Sequence, residues 1–345
     1  MNEDCPRIQW EKIERIILSP YAAFSDASGG RAAQEPLCPL RTIFQQDRDR
    51  IVHCKAFRRL KHKTQVLLLP EGDHYRTRLT HTLEVDQVAR TISRAIGLNE
   101  DLTDAIALGH DLGHTPFGHM GERVLDRIAR ERGMDGFVHA RQSLRVVEHL
   151  EKEGRGLNLS IEVRDGILRH SKGQVDVREG FSGGERALTL EARVVRISDS
   201  IAYLNHDLDD AIRAGIVKIE DIPAEVISVL GATHGERIGR MVENVVSVSS
   251  GMKGVAMSDE LLDAVERLRS FLYSRVYASA RVLSEEPKVE LVLRTLFDKF
   301  EKKPAGGEDS RGVENSLMAL DYISGMTDRY ALQLFEKSAV PNPWP

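Results

Sequence analysis

Apolar residues in this chain recur mostly at steps of three and four and rarely at steps of two, and that spacing limits its fold more than anything else. Leu83, Val85, Val88, Ala89, Ile92, Ala95 and Ile96 largely follow it as far as Gly97. A helix turns once in 3.6 residues, so this spacing gathers apolar side chains into one stripe, whereas a half-buried strand alternates. Leu102, Ala105 and Ile106 repeat it behind Asp101 or Thr103, the two residues suited to open the next helix. The spacing predicts further helices over 119–132, 140–153 and 161–170, a long one from Leu188 to Gly215, and others over 259–283, 287–303 and 311–337. Glycine-rich breaks run from Lys172 to Gly184 and from Lys303 to Gly307. Alternating patterns are scarce and no repeat is found, so the expected class is all-α.

The stretch Gly109-His110-Asp111-Leu112-Gly113-His114-Thr115-Pro116-Phe117-Gly118-His119-Met120-Gly121-Glu122 carries three of the chain's twelve His, with one Asp and one Glu. Its glycines and proline mark a helix end that passes through a tight turn into a new helix. Adjacent His110 and Asp111 bring an imidazole and a carboxylate to one point. That suits a divalent ion that keeps positions open for water and substrate. His81 precedes Val85 by four residues, His110 follows Ile106 by four, and Asp199 is in phase with Leu188, Ala192, Val195 and Ala202. All three fall on apolar stripes, where a carboxylate is costly to bury unless something pairs with it. His81, His110, Asp111 and Asp199 converging on one divalent cation would meet that requirement. The rival reading, four separately hydrogen-bonded core residues, suits a lone histidine better than four groups in phase.

The order His81, His110-Asp111, Asp199 resembles the HD superfamily of metal phosphohydrolases. Three longer blocks resemble its deoxyguanosinetriphosphate triphosphohydrolase-like branch, the dNTP triphosphohydrolases: Tyr75 to Val85, Gly109 to Glu122, and Ile201 to Asp210. The likeness spans about Arg48 to Ala211 and returns over Asp321 to Tyr330. It implies hydrolysis of a deoxynucleoside triphosphate to deoxynucleoside and inorganic triphosphate, with Mg or Mn as the favoured metal and Fe, Co, Ni or Zn also accommodated by the ligand set. Water attacks the α-phosphorus and the 5′-oxygen leaves, so a general acid is needed. His119 is the candidate, with Glu122 three residues later on the same helical face. An exposed first helical turn with a capping acid is the alternative for this pair. Arg78 shares the face of His81 and suits bidentate phosphate contact, although a surface salt bridge would explain it too. Asp199, Tyr203 and Asp207 form an i, i+4, i+8 line. The resemblance places the tyrosine against C2′ of the sugar and the aspartate, with Gln65, at the 3′-hydroxyl. It also puts His114 and His139 near the phosphates, evenly matched against ordinary polar roles. Some relatives carry Lys after the last metal Asp; here Ser200 stands there, leaving Lys288, Arg294, Arg311 and Arg329 as unranked cations for the triphosphate.

Domains are expected at 1–47 (a short helix and a mobile arm), 48–215 (the phosphohydrolase core) and 216–345 (further helices packed on it). A net charge of -5 argues against a general nucleic-acid coat, so a polyanion must meet a local basic patch such as Arg48 to Lys63, itself as readily a solvated face. Three scattered cysteines, no secretory signal and no apolar run of membrane-spanning length point to a cytoplasmic protein without a membrane partner. The resemblance further implies a dNTP substrate, a homo-oligomer with a hexamer as one form, and a dNTP or single-stranded DNA effector. Two rivals stand beside this reading: an HD phosphohydrolase acting on a nucleoside monophosphate or cyclic diester, and a nucleotide-sensing or single-stranded nucleic-acid-binding regulatory protein.

Overall fold

The computed structural model describes residues 5–65, 76–171, 187–303 and 313–341. Over these residues the chain is helical, with only two isolated β-bridges, Arg31 to Ser160 and Thr64 to Thr77. The helices are α1 (Pro6–Ile17), α2 (Ile43–Val52), α3 (Lys55–Arg59), α4 (Arg78–Ala95), α5 (Glu100–Gly109), α6 (Gly118–Glu131), α7 (His139–Arg145), α8 (Ile161–Arg169), α9 (Leu190–Arg213), α10 (Ala224–Leu230), α11 (His234–Ser249), α12 (Asp259–Leu272), α13 (Ala280–Leu283), α14 (Glu286–Lys302), α15 (Val313–Ser324) and α16 (Asp328–Ala339). The two predicted glycine-rich breaks fall almost entirely outside the described residues, as do Tyr75 and Arg311.

Local chemistry sets the helix starts. Thr77, Asn99 and Thr189 accept the backbone N–H of Thr80, Leu102 and Ala192, capping α4, α5 and α9. The cap of α5 is thus Asn99, two residues before the earlier of the two expected openings. These three helices pack on one another around Val85, Val88, Ile92, Leu102, Ile106, Val195 and Ile201, all at most 4% exposed. Each large aliphatic side chain buried in this way stabilises the fold by roughly 1.5–3 kcal/mol. Three predicted helices are interrupted, one of them 259–283, which passes through a π-type turn over Tyr273–Tyr277 and restarts at Ala280. Residues 140–153 give way to a π-type turn after Arg145, and 311–337 breaks between Ser324 and Asp328.

Two apolar clusters organise the described residues. One runs from Ala22 to Val276 and holds α4, α5, α8, α9 and α12. The other combines α6 with α14, α15 and α16, so the expected line at residue 215 separates neither cluster from the other. The arm expected to be mobile is held in place. Glu162 accepts from Ser28 Oγ (2.8 Å) and Gly29 N (2.7 Å), Asn158 bonds both backbone groups of Ala33, and Arg31 pairs with buried Asp47. Helix α1 packs through Arg7 and Glu14, leaving Trp10, Ile13, Ile16 and Ile17 exposed.

Candidate metal centre

His81 on α4, His110 just after α5 and Asp199 on α9 each offer one ligand atom, and these atoms all lie within 4.8 Å of one another. His81 and His110 are at most 1% exposed. A backbone partner assigns the His110 tautomer. His110 Nδ1 donates to Ala107 O (2.6 Å), which leaves Nε2 as a lone pair with no partner. Behind His81, Glu84 Oε2 lies 2.5 Å from His206 Nε2, and His206 Nδ1 lies 3.3 Å from His81 Nδ1. His81 Nε2 in turn lies within hydrogen-bond distance of Asp199 Oδ1, at 3.1 Å. Two imidazole nitrogens and a carboxylate oxygen gathered at one point make a donor set that fits a divalent metal, which would take the place of the proton shared by His81 and Asp199. Burial would raise the Asp199 carboxyl, but its hydrogen bond with His81 and the charges of His110, His81 and His170 outweigh burial and hold it well below the usual range.

Asp111 sits at the edge of this group. Its Oδ2 is 3.6 Å from His110 Nε2 and accepts from Arg78 Nη1 at 2.5 Å. Despite burial, Arg78 and the surrounding imidazoles keep this carboxyl strongly depressed. Arg78 is 1% exposed and bound to a core carboxylate, so the alternative of a surface salt bridge gives way to a buried one.

A second group lies beside the first. His114 is fully buried, has no hydrogen-bond partner at either ring nitrogen, and stacks on His139 with centroids 4.8 Å apart. His139 Nδ1 contacts Glu122 Oε1 at 2.8 Å and His139 Nε2 contacts His170 Nε2 at 3.2 Å. Burial alone would lower the His139 imidazole, but the Glu122 carboxylate beside it prevails and raises it. His119 stands exposed at the start of α6, its Nδ1 3.4 Å from Glu122 Oε2, so one carboxylate serves both His119 and His139. Both His114–Glu122–His139 and Asp111–His139–His170 also have the spacing of metal ligands.

On α9, Tyr203 is half-buried and Asp207 is 3% exposed. Asp207 Oδ2 accepts from the Tyr277 hydroxyl, Oδ1 has no partner, and burial pushes this carboxyl up to about 7. Gln65 Oε1 is likewise buried without a partner. Six of the sixteen buried partnerless side-chain atoms among the described residues belong to Gln65, Arg78, His110, His114 and Asp207. Such atoms are rare in folded proteins, and a bound polar ligand is one way to satisfy them. Of the proposed triphosphate cations, Lys288 pairs with Glu285, Arg294 pairs with Glu131 and Glu290, and Arg329 is exposed.

Sequence reasoning did not single out Glu84, His206, His170 or Tyr277. His206 lies seven residues after Asp199 on the same helix, and His170 follows buried Val163 and Ile167 at helical steps, so both carried a readable signal. Tyr277 arrives from a distant π-type turn and carried none.

Residues 78–204 match the HD domain family and residues 255–337 the phosphohydrolase-associated domain. A deoxyguanosinetriphosphate triphosphohydrolase-like protein of Caldanaerobacter subterraneus subsp. tengcongensis is 52% identical over 341 residues, covering 97% of this chain and 96% of that protein. A protein of the same description from Desulfatibacillum aliphaticivorans is 49% identical, covering 98% and 99%. Among solved structures, a hypothetical protein from Aquifex aeolicus matches with a TM-score of 0.42 and 21% identity, over 84% of this chain and 67% of that one.

Proposed function

Because the chain belongs to the deoxyguanosinetriphosphate triphosphohydrolase-like family, we propose that it is a metal-dependent dNTP triphosphohydrolase producing deoxynucleoside and inorganic triphosphate. The observation that carries the reading is the convergence of His81 Nε2, the partnerless His110 Nε2 and an Asp199 carboxylate oxygen on one point. His81, His110 and Asp199 would hold the metal, with Asp111 turning from Arg78 to complete the set. A bound divalent ion supplies Lewis-acid polarisation of a phosphoryl oxygen and lowers the pKa of water, with Mg or Mn favoured and Fe, Co, Ni and Zn compatible.

The protein's own groups account for the rest. Arg78 and His114 face the phosphates, and buried His139 is held by Glu122 beside them. Exposed His119 donates the proton that the 5′-oxygen takes as its bond to the α-phosphorus breaks, while water adds to that phosphorus. General acid help of this kind is typically worth about 10²–10⁴-fold. Asp207 Oδ1 accepts from the 3′-hydroxyl, the Gln65 side-chain amide donates to its oxygen, and Tyr203 closes the space at C2′ against ribonucleotides.

The test is a panel of dNTPs with Mn²⁺ or Mg²⁺, with products resolved. Deoxynucleoside plus triphosphate is expected; monophosphate plus diphosphate would overturn the bond choice, and binding without turnover would favour the regulatory reading. Asp111→Ala is expected to lose metal and activity together, and His119→Ala to keep its metal while losing turnover. Normal turnover in His119→Ala would remove it as the acid. The same proposal includes a cytoplasmic setting, consistent with three free cysteines and with no described helix long and apolar enough to cross a membrane. It also includes a homo-oligomer and a dNTP or single-stranded DNA effector, to be read by light scattering and an activator matrix.

A further inference from the structure

The turn between α15 and α16 reaches into the catalytic half of the molecule. Asp328, 2% exposed, accepts from Phe117 N through Oδ1 (3.1 Å) and from Thr64 N (3.1 Å) and Thr64 Oγ1 through Oδ2. Thr64 precedes Gln65 and bridges to Thr77, the cap of the helix that carries His81. Phe117 stands at the head of α6 in the left-handed region (φ 64°, ψ 27°) with no side-chain cap, two residues before His119. The segments meet backbone to backbone: a Cβ on Gly118 would lie 2.8 Å from Gln65 O. Next to this contact, fully buried Lys63 donates from Nζ to His114 O and to Ser324 O (2.8 Å). Asp321 binds Arg145 and Gln142 of α7, the helix that begins with His139.

The two ends of the site stand on different foundations. The metal-ligand helices α4 and α9 belong to the first apolar cluster, whereas α6, with His119 and Glu122 on its other side, is rooted in the second. Their relative placement therefore depends on what crosses the seam, and the Asp328 carboxylate binds both sides of it.

We propose that Asp328 is a positioning residue, one that fixes the His119–Glu122 helix against the Gln65 segment and so aligns the proton donor with the leaving oxygen; this rests on the hydrolase reading above. Asp328→Asn preserves shape but turns an N–H group toward one of the backbone donors. Displacement of about 1 Å at a reacting group can cost on the order of 100-fold in rate. For Asp328→Asn we expect kcat for the preferred dNTP to fall about 10- to 100-fold, KM to stay within about threefold, and metal per chain to match the wild type. Exchange of the Thr64 and Phe117 amide hydrogens should accelerate, a readout independent of turnover. Thr64→Val, which removes only the hydroxyl link, should show the same kcat-specific loss at about threefold, and it serves if Asp328→Asn does not fold. A kcat within twofold of wild type in a folded Asp328→Asn, or unchanged in Thr64→Val when only that variant folds, would overturn the proposal, as would parallel loss of kcat and metal. A wild-type protein inert toward every dNTP would instead defeat the hydrolase reading, and amide exchange alone would then decide whether Asp328 holds these segments.

Discussion

At the scale of single residues, the site is defined by what its buried polar atoms touch and what they lack. His206, with Glu84 behind it, backs His81 from the side away from Asp199, and Ala107 O holds His110 with Nε2 toward the site. Removing a partner behind a ligating histidine typically costs about 10–100-fold in metal affinity. Glu84→Gln and His206→Phe should each weaken Mn²⁺ binding by about that factor in a titration of the metal-free protein, and unchanged affinity in both would refute the relay. At the other end, Asp207 Oδ1 is a buried acceptor awaiting a donor. If that donor is the 3′-hydroxyl, a dideoxynucleotide should lose about 10-fold or more in kcat/KM against the wild type, and Asp207→Ala should erase the difference. His206 was legible as a residue in phase with Asp199; the pairing of Arg78 with Asp111 was not, because they are 33 residues apart and meet only through the packing of α4 on the end of α5.

At the scale of elements, the loop after α5 and the start of α7 approach too closely for any side chain at Gly113. A Cβ there would lie 2.1 Å from Ser143 N and 2.3 Å from Gln142 C, both rigid backbone atoms. Ser143 Oγ accepts from Gly113 N (2.9 Å) and donates to His110 O (2.7 Å), so this contact also anchors the HD dipeptide. Gly113→Ala should destabilise the protein by about 3 kcal/mol, the upper end for overpacking, and lower its metal affinity. An unchanged denaturation midpoint would show that the loop can give way. The break between α15 and α16 escaped periodicity because Leu320, Ile323 and Met326 keep helical steps straight across it. What the periodicity passed over is local: Gly325, then Thr327 accepting from Tyr330 N as a new helix cap.

At the scale of the whole molecule, burial makes stability depend on pH. Glu191 is fully buried where α9 begins, accepting from Ala23 N and Asn99 N through one oxygen while the other has no partner. Burial, with Glu14 nearby, raises it from 4.5 to about 7. The folded state therefore binds this proton more tightly than the unfolded chain. The stability gained is fully present below about pH 4.5 and is lost as pH rises through about 7. Glu191→Gln, neutral at every pH, should be more stable than wild type at pH 8 by on the order of 3 kcal/mol, with the gap closing toward pH 5. A gap that does not change with pH would refute the assignment.

The sequence by itself determined the helical class, because a 3.6-residue apolar rhythm has one stable solution, and it determined which His and Asp lie on buried faces, because that follows from phase along a single helix. It also carried the family, through blocks whose residues are contiguous. Tertiary structure decided everything that depends on distance between helices. It brought Tyr277 to Asp207, turned Arg78 onto Asp111, held the N-terminal arm against Glu162, and rooted the two halves of the site in separate apolar clusters joined at Asp328. Phase within a helix is written in local spacing, whereas the way one helix meets another depends on side-chain volumes and partners far apart in the chain.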